Sequence, residues 1–156
     1  MTTTAFEDQP VSTADQPSSF AVKWIRVLCF DPAFRQRIQD QLDRLATLPT
    51  NWDGEGAPCI SPDAIQAARN LVAKLPENIA TSPAVVPMAS GHLQFEWNEG
   101  SRSLELEFES PTLIRFLRWD PDNGIEDEDS FAASDVRRAE ALIRWFLGGS
   151  WHAQRD

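Results

Sequence analysis

The sequence predicts an α+β domain: an antiparallel sheet of three to four strands, packed on one face by two N-terminal helices and one C-terminal helix. Three observations carry that prediction. Apolar residues recur at helical spacing in two stretches before Pro76, the apolar period changes to two in the stretches 92–97 and 103–109, and a further helical stripe follows Ser134. Helices placed before and after a run of strands mark the segregated class, in which they cover one face of the sheet. A chain of 156 residues, 42% hydrophobic and 24% charged, suits one domain with its own core.

Residues 1–19 are rich in Thr, Ser, Gln, Asp and Pro with hardly any large apolar side chain, so a disordered tail is expected there. The domain is expected over 20–150, with 151–156 a short C-terminal tail. The run "FAVKWIRVLCF" reads as a short helix, although a buried strand fits the same residues. Asp31 and Pro32 then form an N-cap with proline in the first helical position. Phe34, Ile38, Leu42, Leu45 and Leu48 follow as an apolar stripe that ends at Pro49. Ser61, Pro62 and Asp63 repeat that start signal, Ile65, Ala68, Leu71, Val72 and Leu75 form the second stripe, and Pro76 stops it.

"AVVPM" is a candidate edge strand, because Pro87 removes a ladder donor. His92 to Trp97 alternates cleanly, as does Ser103 to Glu109, and Asn98 to Ser101 with Gly100 between them is a hairpin turn. "TLIRFLRW", residues 112–119, is a third strand behind Pro111. The acidic stretch from Asp120 to Asp129 reads as a turn-rich, solvated loop. Ser134 is expected to cap the last helix, whose stripe is Val136, Ala139, Leu142, Ile143, Phe146 and Leu147, with Gly148 and Gly149 ending it.

Charge narrows the function classes. Against 14 Lys and Arg stand 24 Asp and Glu, a formal net charge of −10, which repels phosphate backbones and anionic bilayers and disfavours direct nucleic-acid or membrane binding. Cys29 and Cys59 lack the spacing of a metal or redox motif and read as reduced thiols. The N-terminus has no secretory pattern, and the most apolar run is broken by Lys23 and Arg26, so cytoplasmic residence is expected. His92 and His152 have no metal-ligand spacing, "GGSWH" is not a nucleophile elbow, no phosphate-binding P-loop occurs, and Tyr is absent. The expectation is a protein that is not an enzyme, with no cofactor and no metal.

One motif stands out. In "NWDGEGA", residues 51–57, Trp52 suits an anchor between helices and sheet, Asn51 and Asp53 suit side-chain turns, and Gly54 and Gly56 suit positive φ. The functional alternative makes Asp53 and Glu55 cation ligands or an acid–base pair of a metal-dependent hydrolase or nuclease, together with sheet carboxylates. With the capped helix of Ser61 to Leu75, the strand Gly91 to Trp97 and the alternating Leu104 to Phe108, Asn51 to Ala57 resembles a family of small, mostly uncharacterised bacterial and phage-associated proteins carrying N-W-D-G-x-G-A and then G-x-L-x-F-E-W. The resemblance implies kinship with a family whose members look like mobile-element and toxin-neighbourhood proteins; it implies no activity.

Strand alternation supplies the candidate binding surface. With Leu93, Phe95, Trp97, Leu104, Leu106 and Phe108 turned toward the helices, Gln94, Glu96, Glu105, Glu107 and Glu109 share the opposite face. Arg115 and Arg118 are candidate counter-ions, of which the register puts only Arg115, with Leu117 beyond it, clearly opposite the inward side of Ile114 and Phe116; Leu117 and Trp119 add apolar anchors beside the carboxylates. Asp127, Glu128 and Asp129 of the acidic loop extend the surface. The expected function is therefore a module that binds and inhibits or sequesters a basic protein, of antitoxin, immunity or anti-defence type, steered by charge. A structural subunit of a larger assembly, using Trp24 and Trp151, is a further alternative, and self-association is left open.

Overall fold

The computed structural model of the protein describes residues 33–79 and 81–148. The expectations for the tails, the 20–30 segment, the Asp31–Pro32 helix start, Trp24, Trp151 and His152 lie outside the described residues. Within them the chain is α+β. Helix α1 (Phe34–Ala46) and helix α2 (Pro62–Lys74) precede five strands, β1 (Ala84–Pro87), β2 (Leu93–Glu99), β3 (Arg102–Phe108), β4 (Leu113–Asp120) and β5 (Ile125–Ala132). Helix α3 (Val136–Phe146) closes the described chain.

The sheet is an antiparallel meander in the order β1-β2-β3-β4-β5, so each strand pairs with its sequence neighbours. Its fifth strand corrects the expected loop. Residues 125–132 pair in register with β4, from Asp120 opposite Ile125 to Leu113 opposite Ala132. A 3-10 turn at Pro121–Asn123 and Gly124 at φ +64 reverse the chain, so the turn is confined to the "DPDNG" half of the stretch. Alternating charges masked the strand: Glu126 and Glu128 point one way, Asp127 and Asp129 the other, and neither face of the stretch is apolar until Phe131.

The β2–β3 hairpin is tighter than expected. Glu99 pairs with Arg102 across a two-residue turn, and Gly100 takes the positive φ, +61, that the first central position needs. Helix α1 buries Phe34, Ile38, Leu42 and Leu45 and ends at Ala46, leaving Leu48 half-buried beyond it. Helix α2 buries Ile65, Ala68, Leu71 and Val72; Pro62 sits at its first turn, while the Ser61 side chain makes no capping bond. For α3, Asp135 rather than Ser134 is the cap, its carboxylate accepting from the Arg138 N–H at 3.1 Å. A carboxylate at a helix N-terminus also meets the positive end of the helix dipole.

One apolar cluster joins all three helices to the inner sheet face through Leu93, Phe95, Trp97, Leu104, Leu106, Phe108, Ile114, Phe116 and Phe131. Phe95 packs edge-on against Phe108 at 4.8 Å and against Trp97 at 6.1 Å. The Trp97 indole N–H donates to the Thr81 carbonyl at 3.0 Å, which satisfies the polar end of a buried ring. Covering this face leaves the other side of the sheet to the carboxylates.

Candidate functional site

The NWDGEGA loop is an interlocked set of turns. Asn51 has φ +66, its N–H donates to the Ala57 carbonyl at 2.6 Å, and its side-chain oxygen accepts from Gly56 N–H at 2.7 Å. Asp53 Oδ1 accepts from the Glu55 and Ala57 N–H groups at 2.9 and 3.0 Å. Those two donors, Glu55 first, hold the Asp53 carboxyl below the ordinary aspartate range. Gly54 and Gly56 have φ of +78 and +97, and the half-buried Trp52 packs on the core while its indole N–H donates to Pro58 O at 3.1 Å. The loop thereby presents Pro58 and Cys59 to the β1–β2 hairpin, where Ser61 N–H donates to Gly91 O at 2.8 Å.

Gly91 explains why the two motifs occur together. At φ +86, a Cβ there would lie 3.1 Å from Pro58 Cγ and 3.3 Å from the Cys59 carbonyl, so only glycine lets the hairpin close on the loop. The pair is a clasp between the α1–α2 connection and the sheet. Among the described residues, no group of three or more His, Cys, Asp and Glu is gathered to hold a metal ion.

A second cluster closes the end of the inner face. Arg102 donates through Nε to Asp120 Oδ2 at 2.9 Å and through a terminal nitrogen to the carbonyls of Trp145 and Phe146, tying β3 and β4 to the end of α3. The Trp145 ring has the guanidinium carbons of Arg102 and Arg118 each 5.3 Å from its centroid, and Arg118 Nε donates to Asp127 at 2.8 Å. The Asn123 amide, then Arg102, hold the buried Asp120 carboxyl below its usual range. Arg118 therefore belongs to the helix side, and of the two candidate counter-ions only Arg115 faces the outer carboxylates. Opposite Leu104 in register, Arg118 lies on the inner face, and Asp127 and Asp129 lie there too.

The outer face gathers the remaining candidates. Glu96 is directly opposite Glu105, Glu105 opposite Leu117, and Leu117 opposite Glu128. One row across four strands thus carries three carboxylates around one leucine. The neighbouring row runs Gln94, Glu107, Arg115 and Ser130, and the row on the other side brings Ser103, Trp119 and Glu126 together. Arg115 bonds Glu128 at 2.9 Å and approaches Glu109 at 3.9 Å, while His92 Nδ1 lies 2.9 Å from Glu107 Oε1. Glu96 and Glu105 make no ion pair, and burial, with Glu105 as a second cause, raises the Glu96 carboxyl above the usual glutamate value. Trp119, 39% exposed, is the large apolar side chain left open on the surface described.

Gln94 is the residue that alternation alone undervalued. It is 6% exposed although it lies on the outer face, and among the described residues no fully buried side-chain nitrogen or oxygen lacks a hydrogen-bond partner. It forms part of a half-open depression of about 140 Å³ walled by Glu105, Glu107, Arg115, Leu117 and Glu128. Comparison with protein-family models, with curated proteins and with solved structures gave no match for this chain.

Proposed function

We propose that this chain is a non-enzymatic, acidic interaction module that captures a basic protein on the outer face of its sheet, in the manner of an antitoxin, immunity or anti-defence protein. The observation that supports this reading is the exposed Trp119 beside a row in which Glu96 and Glu105 face each other with no cation between them. Folding alone gains nothing from that juxtaposition, since like charges directly opposite on a sheet repel. A partner's cations would relieve it, and a central aromatic anchor with charged surroundings is the composition of interface hot spots. The kinship suggested by the N-W-D-G-x-G-A and G-x-L-x-F-E-W motifs is part of the same proposal.

The rival hydrolase reading draws on Asp53, whose Oδ1 already serves two backbone donors, and no observation on the loop favours it. The test of the interaction reading is capture from the native host by the tagged full chain at low and high salt, read by mass spectrometry. One basic protein retained at low salt and released at high salt is expected. Reversing Glu105 and Glu107 to lysine together is expected to abolish that capture with the thermal transition preserved; retained capture would overturn the assignment of this face.

A further inference from the structure

The 3-10 turn between β4 and β5 ends on the chain's one Asn-Gly pair, Asn123 and Gly124. The other asparagines, Asn51, Asn70, Asn78 and Asn98, precede Trp, Leu, Ile and Glu. That difference is chemical. An asparagine side chain can be attacked by the backbone nitrogen of the next residue, and a side chain on that residue obstructs the approach. Glycine removes the obstruction. A Cβ at Gly124 would meet no atom within 4 Å, and Asn123 is exposed to water. The Gly124 N–H donates to Pro121 O at 3.2 Å, the long end of the hydrogen-bond range, and that bond must open before the nitrogen can turn on the side chain.

The same amide ties the turn to the interior. Asn123 Nδ2 donates to Asp120 Oδ2 at 2.9 Å, and Asp120 is 2% exposed. That oxygen also receives the Arg102 guanidinium, with Nη2 at 2.8 Å, and Arg102 reaches on to the carbonyls of Trp145 and Phe146 at 3.3 and 3.2 Å. Asn123, Asp120 and Arg102 thus form a chain of contacts from the exposed turn to the end of α3. Exchanging the amide for a carboxylate turns its first link from donor to acceptor and sets a second negative charge against a buried one. Two carboxylates in hydrogen-bond contact do not both stay ionised in place. Asp120 must take up a proton or move, and either change loosens its hold on Arg102.

We infer that Asn123 is a site of deamidation and that its product unfastens the end of α3 from the sheet. The Gly124 backbone nitrogen, after losing its proton to solvent hydroxide, bonds to Asn123 Cγ. The side-chain nitrogen leaves with a proton from water as ammonia, and a cyclic imide remains. One water then opens the imide at either carbonyl, which yields aspartate or isoaspartate. Water is the sole co-reactant and nothing is oxidised or reduced. Isoaspartate also routes the backbone through the former side chain, so it breaks the turn itself. The site lies in the β4–β5 turn and uses none of the outer carboxylates, so it stands independently of the interaction function proposed above.

The test has two arms. In the first, the full chain is incubated at neutral and at mildly alkaline pH and followed by intact mass and by peptide mapping that separates aspartate from isoaspartate. Loss of the Asn123 amide is expected ahead of that at Asn51, Asn70, Asn78 and Asn98. It should be faster in alkali, slower than in a free peptide of the same turn sequence, and blocked by Asn123→Gln. In the second, nitrogen-15 NMR spectra of Asn123→Asp are compared with wild type. The Arg102 Nε and Trp145 indole signals should shift and the urea midpoint should fall, whereas Asn70→Asp, the same charge added on α2, should leave both signals in place. An Asn123 amide that persists in the full chain while the free peptide loses its own would overturn the site. Conversion, or Asn123→Asp, that leaves the Arg102 and Trp145 signals unmoved would overturn the unfastening.

Discussion

Glu105→Gln should make the protein more stable while it weakens the site. Glu96 and Glu105 are directly paired across β2 and β3, and neither makes an ion pair. Cross-strand neighbours have Cβ atoms about 4.5–5.5 Å apart, so carboxylates at about 6 Å repel by roughly 0.7 kcal/mol even at the dielectric constant of water. With solvent screening on one side, the relief from removing one charge is about 0.2–1 kcal/mol, or about 0.4–4 °C in Tm for a chain of this size. The pH dependence fixes the cause. Because the Glu96 value is raised in the folded chain, the folded state keeps a proton there over a window in which the unfolded state has lost it. Stability therefore falls as pH rises from the ordinary glutamate value through the raised one. The gain from Glu105→Gln should appear across that window and vanish below it. Urea unfolding of the wild type, Glu96→Gln, Glu105→Gln and the double variant, repeated over that range, measures both the gain and the coupling. Equal gains at acid and neutral pH, or strict additivity of the two substitutions at neutral pH, would refute the repulsion between the pair.

Asp53→Ala should lower the urea midpoint and flatten the acid limb of the stability curve. The lowered Asp53 value means its contribution is present above the ordinary aspartate pKa and lost as pH falls through the folded one, so Asp53→Ala and wild type should converge at low pH. Gly91→Ala should cost about 1–2 kcal/mol for the left-handed backbone alone, and more because the new methyl meets Pro58 and Cys59. Gly100→Ala, at φ +61 with open space around it, carries the backbone cost by itself; equal denaturation losses for the two would remove the clasp explanation. Leu106→Ala, fully buried at the centre of β3, should cost about 2–5 kcal/mol by denaturant titration. A smaller loss would mean that the inner face closes over the missing side chain.

What the sequence exposed was periodicity. Helices α1 and α2 announced themselves through stripes that the structure buries, and β2, β3 and β4 through alternation that assigned their inner faces. Strand β5 carries no such signal, because its residues do not alternate between apolar and polar. Its alternation is between carboxylates bound to opposite faces, with Ile125 and Phe131 as its large apolar residues. Trp145 escaped for a related reason. It lies beside the apolar stripe of α3 and is buried under two guanidinium groups, partners that no local pattern reveals. Alternation puts Gln94 on the outer face, but its burial is not legible in β2 alone.

Strand β4 shows how the site is kept apart from the scaffold. Arg115 and Arg118 are three residues apart, an odd spacing, so a strand must send them to opposite faces. Pairing with β5 then gives each a carboxylate on its own face: Glu128 bonds Arg115 outside, while Asp127 bonds Arg118 inside, where Trp145 and the end of α3 are held. The same acidic run thus serves stability with one parity and the candidate surface with the other. Outside, Arg115 is taken up by Glu128 and Glu109, and the row from Glu96 through Glu105 keeps its repulsion. A surface selected only for solubility would disperse those charges; one proposed to meet a basic partner has reason to hold them together. The stabilisation expected of Glu105→Gln and a weakened capture of the basic partner by the same variant are two measurements of that single exchange.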